Sequence, residues 1–302
     1  MKKRLLMLSA LLVLAALELS PLALQTSAGV VNQRERNMDS NAASAPAYQS
    51  KEFKKVVDFE AGGDFRLNSD KGSVVLTSWD KNQVEISARI DAPQHVSEDY
   101  GRLAVEGARV EVTNSSRSIT VRSNFDNVPY KDGFGSQSKA LPDIHYEIRA
   151  PRSLNITIEL DRSKLNLHGF KGKVEIDTDR TSMGGSDLEG DLRIKMDRGQ
   201  VRLSNVRGSL DIDTDRTNCK LQAARIDGDS RLEIDRGVLE IMLPESQQLT
   251  VSANLGRKDN FDTDFGVAMK SGSGENFEGT INGGGPRISI HADRGKVSLK
   301  RE

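Results

Sequence analysis

The side chains in this sequence best placed to do chemistry are carboxylates. Asp177 with Asp179, and Asp211, Asp213 with Asp215, set acids at alternate positions. That spacing puts them on one side of an extended strand. Oxygen ligands grouped in this way suit Ca²⁺, and a facing pair of acids suits glycoside hydrolysis. Against both uses stands an arginine directly after the last acid of each group. Five such dipeptides recur through the middle of the chain: Asp161-Arg162, Asp179-Arg180, Asp197-Arg198, Asp215-Arg216 and Asp235-Arg236. A guanidinium beside each carboxylate neutralises it, which favours a solvated, salt-bridged row over a cation site. These ten residues are the candidate binding residues of the chain, and a purely structural corner ladder is the competing role.

Other chemistry finds no foothold. Gly184-Gly185-Ser186-Asp187 lacks the repeating nonapeptide of a calcium-binding β-roll. His95, His145, His168 and His291 are scattered without metal-ligand spacing. No nucleophile elbow, phosphate-binding loop or paired-histidine helix motif is present. The sequence assigns no catalytic residue, no metal and no cofactor, and the expectation is a protein that is not an enzyme.

The elements that carry these acids are defined by their spacing. Successive Asp-Arg pairs recur at steps of eighteen, eighteen, eighteen and twenty positions, and Gly172, Gly190, Gly208 and Gly228 repeat the last three of these steps. Alignment on the Asp brings apolar residues into columns: Ile158, Ile176, Ile194, Ile212 and Leu232 before it, and Leu165, Met183, Val201, Cys219 and Leu239 after it. Apolar and polar residues alternate within each unit, which is the period of a strand. Each unit therefore contains two short strands joined by an Asp-Arg corner, with glycine at a second corner where positive φ carries no steric cost. A single coil cannot bury its apolar edge, so neighbours must stack on it. The fold expected is all-β: a single-domain parallel β-solenoid, or β-helix, with coils of about eighteen residues. Parallel stacking would place Glu175, Arg193, Asp211 and Arg231 side by side with alternating charge, which is a register argument.

Two outlying segments fit the same template, Phe65 to Leu76 near one end and Ile288 to Leu299 at the other. Lys300-Arg301-Glu302 then reads as charge protecting the last exposed strand edge. Between the first outlier and the central array, residues 96–123 read as an insertion, a short helix or a hairpin of Val110-Glu111-Val112 with Ile119-Thr120-Val121. Residues 124–143 and 256–286, rich in Gly, Ser, Asp and Pro, read as long loops.

Composition narrows the partners. The 302 residues carry 43 Lys and Arg against 44 Asp and Glu, a net charge of −1, which argues against a nucleic-acid binder. Aromatic residues make up 5% of the chain, too few for a sugar-stacking platform. Met1-Lys2-Lys3-Arg4 followed by an apolar run from Leu5 to Leu17 reads as a secretory signal, residues 1–28, with an uncleaved anchor as the alternative. Residues 29–52 read as a polar, disordered linker, leaving 53–302 as the folded domain. The expected location is the periplasm or cell surface. The expected partner is an unidentified envelope or surface component, protein or polysaccharide, with no membrane span after signal cleavage. Cys219 is the only cysteine, so no internal disulfide holds the fold.

The opening "FRLNSDKGSVVLTSWDKNQVEISARI", the step "IHYEIRAPRSLNITIEL", the eighteen-residue coils and the closing "GTINGGGPRISIHADRGKVSLKR" together resemble the bacterial putative-adhesin family. The resemblance covers roughly residues 53–302 and implies an exported β-solenoid with an envelope or surface role. It carries over no catalytic residue and no agreed ligand. The regular Asp-Arg corner departs from the more varied polar residues expected there. The function expected on these grounds is that of a non-catalytic scaffold or adhesin-like binding module. Two alternatives remain: a β-helix enzyme acting on an envelope polysaccharide, and a component of an envelope-stress sensor.

Overall fold

Strict alternation of apolar and polar residues is satisfied only by an extended chain, and most of this chain is extended. The computed structural model describes residues 50–130, 138–256, 260–273 and 275–302. The expected export signal, residues 1–28, and linker residues 29–49 lie outside the described residues. Ser50, Lys51 and Glu52, expected to close the linker, instead open the first strand.

The N-terminal part comprises β1 (Ser50–Asp58), β2 (Asp64–Ser69), β3 (Gly72–Trp79), β4 (Gln83–Asp91), α1 (Glu98–Gly107), β5 (Arg109–Asn114), β6 (Ser118–Asn124) and β7 (Asp143–Pro151). The repeat forms β8 (Asn155–Asp161), β9 (Ser163–His168), β10 (Val174–Glu189), β11 (Leu192–Gly208), β12 (Leu210–Gln222), β13 (Arg225–Ile226), β14 (Ser230–Asp235) and β15 (Val238–Leu243). Last come β16 (Leu249–Leu255), β17 (Asn260–Thr263), β18 (Val267–Ser273), β19 (Asn276–Ile281), β20 (Arg287–Asp293) and β21 (Lys296–Arg301).

Strands one repeat apart pair in parallel and in register. Ile176 lies between Ile158 and Ile194, and Ile212 between Ile194 and Leu232. On the far side of the corner Met183 lies between Leu165 and Val201. These side chains are buried, and each contributes on the order of 1.5–3 kcal/mol by leaving water. Glu175, Arg193, Asp211 and Arg231 are lateral neighbours as the register requires.

The repeat turns at three series of positions, each marked by a residue of positive φ. The arginine of each Asp-Arg pair is the first: Arg162, Arg180, Arg198, Arg216 and Arg236 have φ of 46° to 63°. Gly172, Gly190 and Gly208 form another, at 128° to 140°. A methyl group on Gly190 would strike the carbonyl of Gly172, so only glycine fits. Gly228, expected to continue that column, does not take this conformation, because the insertion in its coil reroutes the chain there. The third corner, at Gly169, Asp187, Asn205 and Ala223, was not anticipated.

The architecture departs from the expected parallel stack at both ends. The strands make one hydrogen-bonded network, parallel in the middle and antiparallel outside it. Beyond β3 lie β7, β4 and β1, the last two joined antiparallel, and beyond β2 lies the β5–β6 hairpin. The insertion at 96–123 thus supplies both the helix and the hairpin. Ser97 caps the helix by accepting from the Tyr100 amide at 3.3 Å, and Glu98 and Asp99 favour its N-terminal end. The described parts of 124–143 belong to no named strand between Asn124 and Asp143, and residues 131–137 lie outside the description.

Residues 256–286 are corrected from loop to strand. They contain β17, β18 and β19, with β19 antiparallel to both β16 and β18. Glycine and exposed polar residues hide the alternation there, but a hairpin needs only backbone partners. The C-terminal strands are also not the end of the stack. β20 lies between β14 and β16, and β21 between β15 and β17. Lys300-Arg301-Glu302 therefore guards no terminal edge, and Lys300 instead pairs with Asp262 at 2.8 Å and Asp264 at 3.2 Å.

Candidate functional site

A non-glycine residue at positive φ costs about 1–2 kcal/mol, yet arginine takes that conformation at every Asp-Arg corner. Its side chain compensates by lying along the stack. Arg180 reaches Asp161 of the preceding coil and its own Asp179, both at 3.0 Å. Arg198 reaches Asp179 at 3.0 Å and Asp197 at 3.1 Å. Arg216 reaches Asp197 at 2.7 Å and Asp215 at 2.9 Å. Arg236 joins Asp215 to Asp235, and Arg294 joins Asp235 to Asp293. Arg162 opens the row by pairing with Asp161 at 2.9 Å. The structure thus brings all ten candidate residues into one continuous zigzag, extended by a sixth pair, Asp293-Arg294.

The backbone of the corner is closed locally. The hydroxyl after each arginine, where there is one, donates to the carbonyl of the Asp: Ser163 to Asp161 at 2.8 Å, Thr181 to Asp179 at 3.1 Å, Thr217 to Asp215 at 2.9 Å. Where glycine stands, as at Gly199 and Gly237, a methyl group would meet the carbonyl of Thr181 or Thr217. Among the described buried side-chain polar atoms, Asp215 Oδ1 alone has no hydrogen-bond partner.

Electrostatics follow the pairing. Around Asp197 partial burial opposes ionisation. The hydrogen bond from Arg216 and the charges of Arg198, Arg216 and Arg236 prevail, holding its carboxyl below the usual range. A carboxylate so depressed stabilises the fold above its unfolded pKa, and that contribution is lost as pH falls through the lower folded value. Beside the ladder runs a second outward row, Glu159, Asp177, Lys195, Asp213 and Glu233, in register across five coils. Partial burial, with Glu233 adding to it, raises the Asp213 carboxyl despite Lys195 and Arg231. Two shallow grooves of about 410 and 280 Å³ meet on this face at Glu159, Asp177 and Lys195.

This arrangement spends its carboxylates on guanidinium groups. Among the described residues no three acid, histidine or cysteine side chains converge as a metal site. Millimolar Ca²⁺ is expected to leave Tm unchanged. A rise of several degrees would mean that the native state binds the ion and that the ladder opens to do so.

No family model and no curated protein matches the chain. Solved structures do. One, described as a putative cell adhesion protein from Clostridium sporogenes, is 13% identical, with a TM-score of 0.34 over 84% of this chain and 100% of that one. A putative adhesin from Bacteroides fragilis is 10% identical, with a TM-score of 0.38 over 83% and 97%. A putative lipid binding protein from Parabacteroides distasonis is 11% identical, with a TM-score of 0.32 over 82% and 96%. Two of these three descriptions name adhesion. The likenesses are distant, and the fold of this chain rests on its own strand pairing.

The histidines take unrelated positions. His168 Nδ1 lies 3.2 Å from Ser186 Oγ at one corner, and His291 is the lateral neighbour of Glu233. His95 takes a left-handed φ of 60° in the connection that leads from β4 to α1. His145 alone sits between a hydroxyl and a carboxylate, Ser73 and Asp91. Sequence reasoning missed this grouping because its members lie far apart along the chain, on strands whose pairing leaves no local signal. Among the described residues no helix is long and apolar enough to cross a membrane.

Proposed function

We propose that the protein is an exported binding module or scaffold of the cell envelope whose Asp-Arg face is non-catalytic, and that its coils wind as a β-solenoid. The observation that supports this most is the Asp-Arg zigzag. It neutralises its own acids and leaves regular columns of polar side chains on the outer faces. Side chains repeated at the spacing of parallel strands, about 4.8 Å, suit a repetitive polymer or an extended protein surface. The apolar run after Met1-Lys2-Lys3-Arg4 supports export to the periplasm or cell surface.

The test is a pull-down with residues 29–302 from envelope extracts, with purified polysaccharide and peptidoglycan as separate arms. Saturable retention of one component, without change in its chain length, is the expected result. Shortening of a polysaccharide by the purified protein would replace this reading with that of a β-helix enzyme.

A further inference from the structure

β3, β7 and β4 lie side by side at the N-terminal end, and one row across them reads Ser73, His145, Arg89. Ser73 Oγ is 2.8 Å from His145 Nδ1. The other ring nitrogen, Nε2, is 3.3 Å from Asp91 Oδ2. Arg89 holds that same oxygen through Nε and Nη2, each at 3.0 Å. An ionised carboxylate only accepts hydrogen bonds, so Nε2 carries the ring proton and Nδ1 is left to accept from the serine hydroxyl. A hydroxyl, a base and a group that orients the base is the arrangement that activates a serine nucleophile. On the side of Ser73 away from His145, the register places Lys164, an exposed cation one strand over.

Ser73 and His145 line a groove of about 670 Å³, with Lys54, Ser87, Arg89 and Glu147 around them. Val75 is the exposed apolar side chain in it. That lining, polar around an exposed valine, suits a short acyl group on a polar alcohol.

We propose that Ser73 is an acyl-accepting nucleophile acting on short carboxylic esters, an activity separate from the binding role above. Ser73 Oγ bonds to the ester carbonyl carbon while its proton passes to His145 Nδ1. Asp91 stabilises the imidazolium, and Lys164 faces the negative oxygen. The C–O bond to the alcohol then breaks, and the alcohol leaves with the proton from His145. Water attacks the acyl-serine, again giving its proton to His145; the acyl C–Oγ bond then breaks, His145 returns that proton to Ser73 Oγ, and the acid is released with Ser73 restored.

The experiment treats the intact protein with a fluorophosphonate probe, maps the labelled peptide by mass spectrometry, and monitors hydrolysis of 4-nitrophenyl acetate. Label is expected on Ser73, with both signals abolished in Ser73→Ala. His145→Ala should slow both by about a hundredfold or more, the lower end of what a general base contributes. Ser204→Ala, on the same face but outside the groove, serves as the control and should change neither. Unaltered Tm separates lost chemistry from lost fold, and the mapped label on unmodified protein stands even if a variant misfolds. No label on Ser73 at saturating probe, or equal hydrolysis by Ser73→Ala, overturns the proposal.

Discussion

Cys219→Asp is expected to cost roughly 3–5 kcal/mol, the scale of an uncompensated buried charge, which is a large share of a typical domain's stability. Cys219 stacks between Val201 and Leu239 and is 3% exposed. Burial pushes its thiol up to about 12, so almost no thiolate exists at neutral pH. A carboxylate there would have no donor to meet it and would have to protonate or drag water into the stack. Cys219→Val, close in volume and apolar, should change stability by less than about 1.5 kcal/mol. Denaturant melts of the two variants measure the contrast. Thiol reagent should leave the native protein unmodified and react stoichiometrically once it unfolds. Rapid native labelling would mean that this column does not face inward.

Deleting residues 286–302 should be worse than removing an end strand, because β20 and β21 are interior. Ile288, Ile290, Val297 and Leu299 are all buried. At about 1.5–3 kcal/mol each, their loss amounts to roughly 6–12 kcal/mol. The same deletion strips a pairing partner from β14 and β15 on one side and from β16 and β17 on the other. Unpaired edges of this kind recruit other chains, so the truncated protein should elute as aggregate in size-exclusion chromatography. Removing only Arg301 and Glu302 should be tolerated, since both are exposed. A monomeric, fully folded 1–285 fragment would show that these strands are not part of the stack.

The repeat was legible wherever a residue type is dictated by its position. Inward columns must be apolar and Gly190 has room for no side chain, so both recur once per coil and fix the register through Cys219. The corner at Asp187 was hidden because Gly, Asp and Asn all tolerate a left-handed backbone, and Ala223 breaks even that pattern. That the arginine rather than the aspartate turns the corner is invisible, since either order satisfies the spacing. Stacking order failed for a different reason: adjacency of β20 to β16 is set in space, across the intervening β17–β19 segment. The Ser73, His145 and Asp91 grouping was lost the same way, since it depends on β7 lying between β3 and β4.

The position of β20 and β21 also sets the order in which the molecule can assemble. Successive repeats in the central array pair only with their neighbours, so each can add to the one before as the chain emerges. Residues 249–263 break that sequence. Their seat is made of residues 287–299, which are synthesised later and must first settle against 230–241. Until the last strand arrives, β16 and β17 have no parallel neighbour to join. The C-terminal end therefore closes in one late, non-local step, the kind that slows folding most.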